Sequence, residues 1–231
     1  MIVAHGLSIR TAVTALAVFS LVTFATAASP LFWHVSTQDD FLKGHVENLS
    51  IDATGTLLLG PLNEVVYEAT TPFLWSVSEV DDVFWLGSGN DGKVFRVEND
   101  QSAEMIFDSR QLNVHAVTAL DTNSAFVGTS PEGSVFRVSR DEEATLVFDP
   151  EEEYIWAITP RDSSGYFYVG TGNPGRIYRV GTDGTVSLFY DTNTTHVLSL
   201  VLGQDGNLIA GTGSPGRLFR ISLTGEGFVL L

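Results

Sequence analysis

The sequence predicts an all-β protein, a β-propeller of four-stranded antiparallel blades with four clear blades, additional N-terminal strands and an incomplete ring. The first observation is a period. Gly87, Gly128, Gly170 and Gly211 are spaced by 41, 42 and 41 residues, and nine residues after each stands Arg96, Arg137, Arg179 or Arg220 behind an aromatic ring. Twelve residues beyond the first three arginines come Asp108, Asp149 and Asp191. Repeats in the low forties are propeller blades or helical arrays. The second observation separates these. Each unit divides into four short runs of Val, Ile, Leu, Phe and Tyr, punctuated by Gly, Asp, Asn, Ser and Pro. None approaches the roughly 10 residues a helix wants.

Along the chain, residues 1–28 hold one charged side chain, Arg10, then an apolar run at 12–22 and the small residues Ala25-Thr26-Ala27-Ala28 before Ser29-Pro30. That is the layout of a cleaved secretory signal peptide; an uncleaved anchor is the alternative. Residues 29–62 contain strand-like runs at 48–51 and 56–59 that break the repeat and are candidates for closing the ring. Residues 63–231 carry the blades, at 73–108, 114–149, 154–191 and 196–231, and residues 64–68 align with an outermost blade strand. In the third unit the strands are expected at 154–159, 166–170, 176–180 and 186–190. The turns Asn173-Pro174-Gly175-Arg176 and Ser214-Pro215-Gly216-Arg217 read as type II, with positive φ at Gly175 and Gly216. The next recurrent Asp would fall beyond Leu231, so the expectation is a truncated member of a larger ring, with a closed five-bladed ring as the alternative.

The units "YVGTGNPGRIYRV" and "FVGTSPEGSVFRV" resemble the bacterial propeller superfamily of NHL-type, WD-repeat-like and two-component-regulator repeats. The resemblance covers about residues 63–231 and implies an architecture; such folds host binding modules, scaffolds and enzymes alike.

Composition narrows the function. A net charge of −16 argues against nucleic acid and anionic lipid as partners. The absence of cysteine removes disulfides, thiol nucleophiles and Cys-ligated metals. Outside the N-terminal segment no run is apolar and long enough to span a bilayer. Three units spell G-x-G-x-x-G, for example Gly170, Gly172 and Gly175, but the dinucleotide motif requires a following helix and here a strand follows. The repeated arginines read as structural, partnered by the recurrent Asp or by carbonyls of adjacent blades. The acidic runs 141–143 and 151–153 read as solvated loops. Asn48 and Asn193 open glycosylation-type sequences.

Function is expected where the repeat varies. At one height of the innermost strands stand Phe73, Asn113, Tyr154 and His196; two residues on stand Trp75, His115, Trp156 and Leu198. The candidate ligand-binding residues are therefore His115, Tyr154, Trp156, His196, Trp75 and Asn113, against the alternative of plain core packing. No set of His and carboxylates at matching heights suggests a metal, no cofactor is implied and no catalytic constellation appears. The leading expectation is an exported, non-catalytic module that binds a protein, peptide or glycan. A lactonase, esterase or lyase with a channel site is one alternative, and a sensor ectodomain the other.

Overall fold

The computed structural model describes residues 34–61, 64–99 and 101–230; the expected signal peptide lies outside these. The chain divides into two compact units, Met1–Glu64 and Val65–Leu231. In the first, the one-turn helix α1 (Gln38–Phe41) is capped by the Thr37 hydroxyl, which accepts from the Asp40 N–H at 3.3 Å. Strands β1 (Leu49–Ile51) and β2 (Leu57–Leu59) form a two-stranded antiparallel sheet. Asp52 Oδ1 closes their turn by accepting from the N–H groups of Thr54 and Thr56, at 2.9 Å each.

The second unit is a succession of antiparallel meanders. Blade one comprises β3 (Phe73–Val80), β4 (Val83–Gly89), β5 (Lys93–Glu98) and β6 (Ala103–Asp108). Blade two comprises β7 (Asn113–Ala119), β8 (Ser124–Ser130), β9 (Val135–Ser139) and β10 (Thr145–Phe148). Blades three and four share longer elements, β11 (Tyr154–Ile158), β12 (Phe167–Val180), β13 (Val186–Leu202), β14 (Leu208–Gly213), β15 (Leu218–Ile221) and β16 (Gly227–Val229). β12 and β13 exceed the expected strands because each serves twice. The first part of β12 pairs with β11 and its second part with β13, whose own second part opens blade four against β14.

Cores lie at the blade junctions. Trp85 packs with Val114 and Val117, Phe126 with Ile155 and Ile158, and Tyr168 with Val197 and Leu200. These are the same repeat positions each time, so one sequence pattern builds three interfaces. Burying each such side chain contributes roughly 1.5–3 kcal/mol. At the leading face of blade one the pattern is only partly covered, by Val66 and Tyr67 among the described residues. Leu74 stands where Val114, Ile155 and Val197 stand, yet it is 44% exposed and they are 0%.

Four expectations are corrected. Residues 64–68 form no strand, but Tyr67 still packs on Phe95 with ring centres 6.0 Å apart. That matches Phe107–Phe136, Phe148–Tyr178 and Tyr190–Phe219, at 5.2, 5.0 and 5.8 Å. The turns at 173–176 and 214–217 are not type II, since positive φ falls on Asn173 (62°) and Ser214 (55°), not on the glycines, and the peptides before Pro174 and Pro215 are cis. A threonine hydroxyl organises these loops instead. Thr171 Oγ1 accepts from the Arg176 N–H (3.1 Å) and donates to the Pro174 carbonyl (3.0 Å), and Thr212 does the same at Arg217 and Pro215. The recurrent Asp does not meet the recurrent Arg, because the register places Arg96 opposite Glu104 and Asp108 opposite Lys93, at opposite ends of one hairpin. Arg96 Nε instead donates to the Thr122 carbonyl of the next blade at 2.7 Å, as the carbonyl expectation requires. Finally, Glu152 is not solvated: it is 3% exposed, accepting from Tyr178 Oη at 2.7 Å and from Arg176 at 3.1 Å.

Candidate functional site

The innermost strands β3, β7, β11 and the second half of β13 lie beside one another in sequence order. Each carries the same irregularity near its start. The register shifts between Leu74 and Ser76, Val114 and Ala116, Ile155 and Ala157, and Val197 and Ser199. The residue skipped is Trp75, His115, Trp156 or Leu198. A β-bulge of this kind leaves one residue out of the ladder and re-aims its side chain. The four variable residues singled out by sequence are therefore the bulged ones, freed from pairing at every blade.

The bulged rings meet those two positions earlier and form one continuous arc. Phe73 and Trp75 stack at 5.4 Å, Trp75 and His115 lie 5.8 Å apart, and His115 and Trp156 approach to 4.4 Å. Tyr154 stacks on Trp156 at 5.2 Å with planes 13° apart, and His196 meets both edge-on, at 5.8 and 5.6 Å. Aromatic pairs in such arrangements contribute about 0.5–1.5 kcal/mol beyond area burial. Asn113 joins through a hydrogen bond from Trp75 Nε1 to its Oδ1 at 3.2 Å, and the same oxygen accepts from the Asn90 N–H. Trp156 Nε1 donates to His196 Nδ1 at 3.1 Å, so the proton of neutral His196 resides on Nε2. All six sequence-selected residues are thus brought together, with Phe73 as a seventh member.

The middle glycine of two of the three G-x-G-x-x-G motifs is explained here; that of the third, Gly213, faces Leu198. A Cβ on Gly89 would overlap the Trp75 indole, and one on Gly172 would overlap Trp156 and His196. Where the bulged ring is the smaller His115, the strand beside it carries Ser130, which pairs opposite Asn113. The floor under each ring is as narrow as the ring demands.

Burial among the indoles pushes the His115 imidazole below its ordinary value, since the charged form loses solvation. His115 is therefore neutral at neutral pH. Among the described residues no three His, Asp or Glu side chains are grouped closely enough to hold a metal. Glu152 Oε2, buried and without a hydrogen-bond partner, belongs to the outer network of Arg176, Tyr178 and Asp191. Sequence reasoning missed that network; the Arg176 and Tyr178 side chains that draw Glu152 inward come from the next blade's β12.

No family model matches the chain, and no curated protein does. Solved structures do. A virginiamycin B lyase from Staphylococcus aureus superimposes with a TM-score of 0.61 at 15% identity, over 79% of this chain and 62% of that one. A streptogramin B lyase gives 0.57 at 16%, over 68% and 53%. A structure of a nidogen/laminin complex gives 0.59 at 17%, over 68% and 64%. The fold is a β-propeller. The chain spans between half and two thirds of each of these neighbours, and at such identities the propeller likeness concerns architecture alone.

Proposed function

We propose that this propeller is an exported binding module that takes a protein, peptide or glycan ligand at the arc of Trp75, His115, Tyr154, Trp156 and His196. The observation that supports the reading is the recurrent bulge. Four blades spend a pairing position to free a side chain, and the residues there vary while the blade around them repeats. A purely structural position would repeat with its blade, as Val114, Ile155 and Val197 do. Export rests on the three-part N-terminal segment; secreted protein should begin near Ala28 or Ser29, and N-terminal sequencing that finds Met1 overturns it.

The test is binding of labelled wild-type protein to peptide and glycan arrays, alongside the joint alanine variant of His115, Tyr154, Trp156 and His196. Specific hits should disappear in the variant while its circular dichroism keeps the β signature. Hits retained by a folded variant remove the arc from consideration. A second reading, a lyase, is favoured by the two lyases among the fold neighbours and by a neutral imidazole at His115. Consumption of a streptogramin B by the wild type, lost in His115→Gln, would select it.

A further inference from the structure

We infer that the aromatic arc selects an organic cation, a quaternary ammonium or the head of a Lys or Arg side chain, and this rests on the arc being the binding site. The two indole donors of the arc are already committed. Trp75 Nε1 is spent on Asn113 and Trp156 Nε1 on His196. Asn113 Oδ1 is spent twice, on Trp75 and on the Asn90 N–H. The indole donors that would hold a sugar hydroxyl or a carboxylate are thus taken, and what the indoles offer a ligand is π surface. Ring faces carry negative quadrupole density and attract cations within about 6 Å of the ring centre. His115, neutral between two indoles, adds no repelling charge.

The connections that deliver the chain to β7 and β11 reinforce this. Asp149, Glu151 and Glu153 lie on them, and Asp108 ends the strand before one, with no ion-pair partner among the described residues, against the single base Arg110. With a chain charge of −16, the surrounding field concentrates cations and repels anions. An anionic ligand meets an unfavourable potential there.

The experiment titrates the full chain with choline and with 3,3-dimethylbutan-1-ol, its uncharged isostere, following indole fluorescence and calorimetry. Choline should bind at least about tenfold more tightly, the scale of a partly desolvated cation–π contact. Trp75→Leu, at a half-exposed position, should lose most of that preference with the fold intact, whereas Asp183→Ser on a distant turn should not. Equal binding of the two isosteres overturns the inference, as does preferential binding of cellobiose or acetate. If choline fails while array hits remain sensitive to the joint alanine variant, the arc stands as a binding site and the cation inference falls. If neither choline nor any array ligand responds to the arc, both fall.

Discussion

At the scale of single residues, His115 couples the site to pH. Its imidazole sits lower than in the unfolded chain, so in the window between the folded value and about 6.5 the unfolded chain binds more protons. Stability contributed by the neutral ring is therefore fully present above about pH 6.5 and lost as pH falls through the folded value. Carboxylates such as Asp205 are held below the ordinary carboxylate range by hydrogen bonds from Asn207. Urea midpoints should drop between pH 7 and pH 5 in the wild type and change less in His115→Phe; parallel curves would show that His115 is not the sensor. Two glycines with the same sequence context should also part company. A Cβ on Gly175 would meet the Thr194 carbonyl at 2.9 Å and the His196 backbone at 3.0 Å, whereas on Gly216 the nearest atom is 3.8 Å away. Gly175→Ala should cost about 1–3 kcal/mol by overpacking, and Gly216→Ala close to nothing, as read by thermal melts. Equal shifts would mean the blade-to-blade approach is looser than this geometry.

At the scale of elements, the hairpin between the second and third strands of each blade is held by a hydroxyl one residue after the recurrent glycine. Thr129, Thr171 and Thr212 each accept from the N–H five residues on, at 3.2, 3.1 and 3.1 Å, and Ser88 accepts from the Lys93 N–H at 2.8 Å. Thr171 is fully buried. Thr171→Val keeps the shape, removes the acceptor and leaves the part-buried Arg176 N–H without it, which costs about 1–3 kcal/mol. Thr171→Ser should recover most of it, and a valine variant as stable as wild type would show that the loop closes without the hydroxyl. The glycines of G-x-G-x-x-G therefore have separate jobs. Gly170 lets the next inner strand approach, with Val197 Cγ1 2.9 Å from an added Cβ, Gly172 floors an indole, and Gly175 admits the chain entering the next blade.

At the scale of the whole propeller unit, stability is a sum over blade junctions, as in other repeat architectures. Equivalent positions then differ only through their neighbours. Ile155, fully buried between blades two and three, should lose about 2–5 kcal/mol on truncation to alanine. Leu74, at the same repeat position but half-exposed, should lose under about 1 kcal/mol, because little of its surface leaves water. Denaturant titration of both variants decides this, and equal losses would mean that the leading face of blade one is covered.

The period, the four-strand blades and the six arc residues were legible in the sequence, because a repeat aligns equivalent positions and exposes those that vary. The bulge that frees Trp75, His115 and Trp156 was not, since it is a property of the register between two strands. The Glu152–Arg176–Tyr178 network was hidden for a related reason: it joins residues 24 and 26 apart in the chain. The Arg96 contact to a carbonyl of the next blade was among the partners the repeat itself suggested. The type II reading of Gly175 failed because local turn statistics do not include the threonine hydroxyl and the neighbouring strand that shape the loop. Sequence alone determined the repeat and the identity of the side chains on it. Tertiary packing decided where those side chains point, because burial, register and a partner's approach arise only when blades that are distant in sequence lie side by side.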